Sequence, residues 1–301
     1  MNTKDIRQLR HFITVADELH FGRAAERLSM TQPPLSQSIL DLEESLKFKL
    51  FERNKRNVAL TPIGKLWLPY VKAVISALEG LPDIAYRLQR GEIGTIRLSF
   101  VSSVVYSLLP NLVANYKNNF AQVELILKEA TTDVQIRDLL DRVIDVGVII
   151  PASGSTLPSE LASKKIRSEP LVAAVHQDTA KTLHAESNRT INLSALAEHP
   201  LIMFPRETCP GLHDLIYSYF ELRGLKPLLG QQAIQMQTII SLVSQGMGYA
   251  LVPESMANLN REGVAYFYLH GTCLTVDTAI AWNIYAESPA VRALIKLSDH
   301  V

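Results

Sequence analysis

The feature that most constrains this chain is a pair of short helical patterns joined by a three-residue turn within residues 22–46. Gly22 precedes a helix whose Ala24, Ala25 and Leu28 form a narrow apolar face, and small residues there let another helix approach closely. Ser29-Met30-Thr31 reads as a tight turn, with Thr31 a good N-cap. Gln32-Pro33-Pro34 fits a first helical turn, where proline's missing N–H costs nothing. Leu35, Ile39, Leu42 and Leu46 then form a buried stripe, while Pro33, Ser36, Gln37, Leu40 and Glu44 point away from it. Upstream, Leu9, Phe12, Ile13 and Ala16 make 5–19 an amphipathic helix. Downstream, KLFERNKRNVALT reads as strand, basic turn, strand, which is a wing. Two helices around a tight turn, the second presenting small polar side chains, fit a helix-turn-helix. A recognition helix must enter a major groove about 12 Å wide, so its leading face must be slim and able to hydrogen-bond base edges. Gln32, Ser36 and Gln37 meet that requirement. Short helical hairpins also occur in ordinary bundles, and the adjoining basic wing favours the DNA reading.

Charge layout agrees. The 301 residues carry 30 Lys+Arg and 30 Asp+Glu, for a formal net charge of zero. Residues 1–61 hold ten basic and eight acidic groups, and residues 47–56 hold five basic groups against one acid. Such a cluster is either a solvated surface or a grip on phosphates. With 47% hydrophobic residues the chain has ample apolar material for real cores, which argues against disorder. No apolar stretch is long enough for a membrane helix and the charged N-terminus lacks a signal core, so a cytoplasmic location is expected. Cys209 and Cys273 are too few for a disulfide framework.

The segment ELHFGRAAERLSMTQPPLSQSILDLEESLKFKLFERNKRNVALTPIG resembles the DNA-binding domain of LysR-type transcriptional regulators, in particular the aromatic-catabolism branch with benzoate- and muconate-responsive members. The resemblance implies a winged helix-turn-helix domain, a long linker helix that dimerises, and a two-lobed regulatory domain like a periplasmic solute-binding protein. It also implies a homotetramer built as a dimer of dimers, with double-stranded DNA, a small organic acid effector and RNA polymerase as partners. Gln32, Pro33, Ser36 and Gln37 match the groove-facing positions, and Arg53, Lys55 and Arg56 match the wing that tracks the backbone. The sequence departs at Gln37 and Leu40, where relatives often carry arginine, so phosphate-binding charge must come largely from Arg23 and the wing.

Residues 62–91 read as a long helix whose apolar repeat, Ile63 through Leu88, needs a partner; a coiled-coil dimer fits, with packing on the chain's own domain as the alternative. Pro69 and Pro82 inside it should kink it, and Gly91 and Gly94 mark its end. The rest alternates strands (96–101, 123–129, 146–150, 171–176, 201–204, 231–235, 249–253, 264–269, 278–282) with helices near 105–119, 133–143, 211–224, 237–246 and 288–298. Alternation argues an α/β fold with a parallel sheet. The expected division is 1–61 for the winged helix-turn-helix, 62–91 for the linker, 92–166 with 268–301 for one lobe, and 167–267 for the other. The first crossing follows the polar stretch ASGSTLPSELASKK, read as a linker.

In open α/β sheets, ligands bind beyond the carboxyl ends of strands. Those ends carry Ser102 and Ser103, Thr131 and Thr132, Ile150 and Pro151, then Pro205, Arg206 and Glu207, and Met236 and Gln237. The four hydroxyls lie just ahead of helices, whose N-termini favour a carboxylate; each taken singly reads first as a helix cap, and the four together raise the binding reading. The resemblance implies effector contacts at Ser103 and Thr132, and from the FPRETCPGLHDL loop, where Arg206 and His213 offer charge or hydrogen bonds. At Ile150 relatives can place arginine, so a monocarboxylate or a largely apolar aromatic acid is expected rather than a dicarboxylate. The wider family also includes redox sensors, which directs attention to Cys209. No dinucleotide fingerprint, phosphate loop, nucleophile elbow, metal-ligand spacing or cofactor motif is present. The alternative, a metabolic α/β enzyme with a fused helical domain, rests on fold analogy alone.

Overall fold

A computed structural model describes residues 3–53, 57–152, 156–183, 189–271 and 273–300. The chain divides into two compact units, Met1–Tyr86 and Arg87–Val301.

The first unit begins with three helices, α1 (Thr3–Glu18), α2 (Phe21–Arg27) and α3 (Gln32–Leu46). A two-stranded ribbon follows, β1 (Phe51–Arg53) against β2 (Val58–Leu60), antiparallel with Phe51 opposite Leu60. Then comes α4 (Pro62–Gln89). The predicted stripe on α3 is the buried one: Leu35 and Ile39 are fully enclosed and Leu42 nearly so. They pack with Phe12, Phe21, Phe51 and Val71 into one core, in which the Phe12 and Phe51 rings meet edge-on at 5.5 Å. Two local details were not legible. His20 caps α2 by accepting from the N–H groups of Gly22 and Arg23 at 3.1 and 3.2 Å. Thr31 has the extended backbone of an N-cap but makes no side-chain capping bond. The helix α4 runs through both Pro69 and Pro82. It ends where Gly91, at φ +70°, turns the chain so that Gly91 N–H meets Leu88 O and Glu92 N–H meets Arg87 O.

The second unit contains β3 (Gly94–Phe100), α5 (Leu109–Asn119), β4 (Val123–Glu129), α6 (Thr132–Leu140) and β5 (Val146–Ile149). Next come β6 (Leu161–His176), α7 (Gln177–Thr182), β7 (Thr190–Ile191), α8 (Leu193–Leu196) and β8 (Pro200–Met203). The chain continues through α9 (Pro210–Glu221), β9 (Leu228–Gln232), α10 (Met236–Val243), β10 (Ala250–Pro253), β11 (Val264–Leu269), β12 (Thr275–Asn283) and α11 (Pro289–Leu297). The sheet order is β4-β3-β5-β12-β6-β11-β7, with β10 also on β6, and β8 pairs with β9.

The sheet is mixed rather than parallel. β3 runs parallel to β4 and β5, whereas β12 is antiparallel to β5 and β6, and β10 and β11 are antiparallel to β6. The antiparallel strands come from the two crossings. β6 pairs with β12 up to Pro170, and from Leu171 it changes partners to β10 and β11. The first crossing is therefore one continuous strand. Residues 161–165, read from sequence as linker, form its first part, bonded to a strand more than a hundred residues later. The result is two α/β lobes sharing β6, with one apolar cluster running through both.

Candidate functional site

Two features of separate units carry chemistry. The first is the outer face of α3. Gln32, Pro33, Gln37 and Leu40 are exposed and Ser36 is half-buried. The reason is helical period: Leu35, Ile39 and Leu42 claim the inner face, which leaves these residues outside. Gln37 Nε2 donates to Asp41 Oδ1 at 2.7 Å, so its amide is already oriented along the helix. The basic groups around this face are partly committed. Arg23 donates to Glu18 O at 2.6 Å and stands 3.4 Å from the Glu18 carboxylate. Arg53 lies 3.6 Å from Glu43 and 4.6 Å from the Phe21 ring centre. Lys55 and Arg56 lie outside the described residues.

Glu43 is the buried charge that organises the wing. Its Oε1 accepts the N–H groups of Leu50 and Phe51 at 2.8 and 3.0 Å, and Lys49 and Arg53 flank its Oε2. A carboxylate that satisfies two backbone donors and two cations can remain buried. The sequence pattern assigned Glu43 no role.

The second feature is a cavity in the second unit, open in part to solvent. It sits at the carboxyl ends of β3, β4, β5, β8 and β9, where the strand-end argument put it. One lobe contributes Ser102, Ser103, Thr131, Thr132 and Ile150. The other contributes Phe204, Thr208, Cys209, Leu212, Ile234, Gln235 and Met236. All four predicted hydroxyl residues are thus brought together. Thr132 Oγ1 accepts from Ile150 N–H at 3.3 Å within one lobe, and Ser102 Oγ accepts from Met236 N–H at 3.4 Å, a bond that ties the two lobes across the cavity. Ser103 is only 3% exposed, and its hydroxyl has no hydrogen-bond partner among the described residues. The starts of α6, α9 and α10 meet at the same place, and none has a side-chain cap at its N-cap residue. Three helix N-termini give the cavity a positive bias without a cation, although Met236 N–H already meets Ser102 Oγ and α9 opens with Pro210, which has no N–H.

Pro205, Arg206 and His213 do not line the cavity. Arg206 makes a two-pronged pair with Asp214, both bonds 2.7 Å, and this guanidinium holds the Asp214 carboxyl down at about 2. His213 stacks on Tyr217 at 4.5 Å and meets Asp214 at 3.1 Å. This cluster fixes the turn Arg206–Thr208 against α9. The same segment lines the cavity through Thr208, Cys209 and Leu212 instead. The Cys209 thiol is pushed up by burial, against weaker hydrogen bonds from Leu212 and Thr132 that pull it down. A thiol held protonated is a poor nucleophile, which weighs against redox chemistry there.

No cluster of His, Cys, Asp and Glu among the described residues could hold a metal, and no described helix is long and apolar enough to cross a membrane.

Comparison with known proteins agrees along the whole chain. The family model "Bacterial regulatory helix-turn-helix protein, lysR family" matches residues 6–65, and "LysR substrate binding domain" matches residues 89–300. The chain is 47% identical to the HTH-type transcriptional regulator IlvR of Caulobacter vibrioides, over 97% of each chain. It is 34% identical to the HTH-type transcriptional regulator AlsR of Bacillus subtilis, over 98% of this chain and 95% of the other. Its fold is similar to full-length CbnR in a crystal structure with its target DNA, at TM-score 0.79 and 24% identity, covering 97% of each chain. The narrower expectation of an aromatic-catabolism branch gains no specific support, since IlvR, at 47%, lies well above the resemblance that suggested it. These relatives are transcriptional regulators and not enzymes, so the fused-enzyme alternative falls. With a winged helix-turn-helix at one end and a two-lobed domain around a cavity at the other, the chain belongs to the LysR family of DNA-binding transcriptional regulators and carries that family's effector-binding domain.

Proposed function

We propose that this regulator reads a dyad DNA site with α3 and responds to a small organic acid, aromatic or unsaturated, held between the two lobes. Residues 1–61 read DNA in this account, 62–91 pair the chains, and 92–166 with 268–301 and 167–267 close on the ligand. The observation that carries the effector reading is the cavity: hydroxyls on one wall, apolar Leu212, Ile234 and Met236 on the other, and no basic side chain in its lining among the described residues. That lining suits one carboxylate on an apolar body. A ligand touching both lobes can favour one lobe arrangement over another, and only such differential binding shifts an equilibrium.

Gln32, Ser36 and Gln37 read base edges in this account, while Arg23, Arg53, Lys55 and Arg56 meet phosphates and Pro33 packs at the groove. Gln37→Ala should cost about 1–3 kcal/mol on the preferred site and relax sequence preference. Arg53→Ala should weaken every sequence alike. Equal weakening of random and preferred DNA by Gln37→Ala, measured by mobility shift, would refute the base-reading role.

The assembly proposed is a homotetramer that engages RNA polymerase. The apolar surface left on α4, where Leu66, Tyr70, Leu81 and Leu88 are each at least half exposed, supports the pairing of chains within it. A partner chain would cover them. The double variant Leu81→Glu, Ile84→Glu should run as a smaller species than wild type in light scattering. A full-length wild-type monomer at micromolar concentration would contradict the assembly.

A further inference from the structure

A protein grips the phosphate backbone of DNA with cations, and each phosphate neutralised adds to the salt dependence of binding. Ion pairing within the first unit sorts its cations into three groups. Arg10 pairs one-to-one with Glu79 at 3.4 Å and Lys72 with Asp17 at 2.8 Å, so each is locally neutralised. Arg23 and Arg27 share Glu18, and Lys49 and Arg53 share Glu43, so each trio presents a single net charge. Arg7, Lys47 and Lys65 make no ion pair among the described residues.

Two of these three stand beside the outer face of α3. His11 Nδ1 lies 2.7 Å from Ser38 Oγ, which joins α1 to α3, and Arg7 is one helical turn earlier on α1. Arg7 lines a surface pocket with Pro34, Gln37 and Asp41, at the edge of the face that carries Gln37. Lys47 is the residue that ends α3, held at φ +61°, and it lines a second pocket with Leu40 and Glu44. Both side chains belong to exposed residues. Asp41 is the carboxylate that would repel a phosphate at this edge. Its Oδ1 is taken by Gln37, and Arg7 in the same pocket offsets its charge.

We propose that Arg7 and Lys47 form a phosphate clamp, one on each side of α3, whose ligand is the sugar-phosphate backbone of duplex DNA. The clamp rests on the reading that α3 faces DNA. It carries charge that no ion pair among the described residues engages, which the sequence pattern sought in Arg23 and Arg53.

The test uses the full-length chain and a duplex that the wild-type protein selects from random sequence, with binding measured across a salt series. Arg7→Ala and Lys47→Ala should each flatten the slope of log K against log salt by about 0.9 for every copy of the chain on the duplex. Arg7→Lys keeps the charge and should keep the slope, which separates a lost contact from a folding defect. Arg10→Ala and Lys72→Ala remove the same charge from neutralised pairs and should leave the slope unchanged. Unchanged slopes in Arg7→Ala or Lys47→Ala, or equal flattening by Arg10→Ala, would overturn the clamp. Gln37→Ala in the same assay tells the two readings apart. If it loses sequence preference while the Arg7 and Lys47 variants keep their slopes, the clamp falls and the DNA-facing helix stands. If it weakens selected and random duplexes equally, and those slopes also stay, both fall.

Discussion

Gly211→Val is expected to abolish the response to ligand while leaving DNA binding intact. Gly211 lies in the first turn of α9, beside Leu212 and Cys209 of the cavity wall. A Cβ there would sit 2.3 Å from Ala152 Cα, 2.7 Å from Ala152 N and 2.8 Å from Pro151 O. All three are backbone atoms that follow β5 in the opposite lobe, so no side-chain rotation can relieve the overlap. The absence of a side chain lets the start of α9 touch the end of β5 and close one side of the cavity. Valine is a wedge, and the lobes must separate around it. Overpacking of this kind costs about 1–3 kcal/mol, and ligand contacts that need both walls are lost with it. Gly80→Ala provides the contrast. Gly80 is inside α4 with nothing within 4 Å of a Cβ, so alanine should stabilise by about 0.5–1 kcal/mol. Calorimetric titration of ligand into the two variants checks the pair. Ligand affinity in Gly211→Val equal to wild type would show that this contact does not shape the cavity.

The second large effect belongs to Glu43. Glu43→Ala should destabilise the first unit by about 2–4 kcal/mol, because it strips two buried N–H donors, Leu50 and Phe51, of their acceptor and leaves Lys49 and Arg53 without a counter-charge. Glu43→Gln keeps an acceptor oxygen and should lose about half as much. The consequence extends to function, since those donors begin the wing ribbon. In a thermal melt, Glu43→Ala should lower the transition of the first unit and reduce DNA affinity at temperatures below it. A melt indistinguishable from wild type would mean that the wing is held by packing of Phe51 alone.

These two residues also mark where sequence reading ran out. The helix-turn-helix was legible because its evidence is local: a small-residue face, a tight turn, a stripe at helical period. The structure gives α3 the bounds the pattern gave it, Gln32–Leu46. Glu43 was not legible, because an acid on an apolar face acquires meaning only when the backbone of Leu50 and Phe51 folds onto it. In the second unit the apolar strands were legible from composition, whereas β6 was not. Its first part, LASKKIRSEP, is polar on both sides and is held by hydrogen bonds to β12, far along the chain. Ser102, Ser103, Thr131 and Thr132 all follow strand ends, so their place at one cavity was legible without any knowledge of the lobes. Arg206 was expected there too, because a charged residue at a strand end looks available. The sequence could not show that Asp214, one turn into α9, turns and binds it. Thr208 and Ile234 reach the cavity from the connecting segments and Leu212 from the first turn of α9, and apolar or small polar residues in such places carry no signal of their own.

The central claim is that a ligand in this cavity changes how the protein sits on DNA. The most direct measurement is a footprinting titration comparing wild type with the double variant Ser103→Ala, Thr132→Val. The ligand would be whichever aromatic or unsaturated monocarboxylate, benzoate and crotonate among them, most raises the melting temperature of the wild-type chain. The account predicts a footprint on wild type that changes in extent as ligand is added, through a coupling of roughly 1–3 kcal/mol. It predicts for the double variant the same ligand-free footprint at the same protein concentration, and no change on adding ligand, because the cavity and the DNA-facing helix belong to separate units. A double variant whose footprint still shifts with ligand as the wild type's does would contradict the account and put the effector somewhere other than between Ser103, Thr132 and the α9 loop.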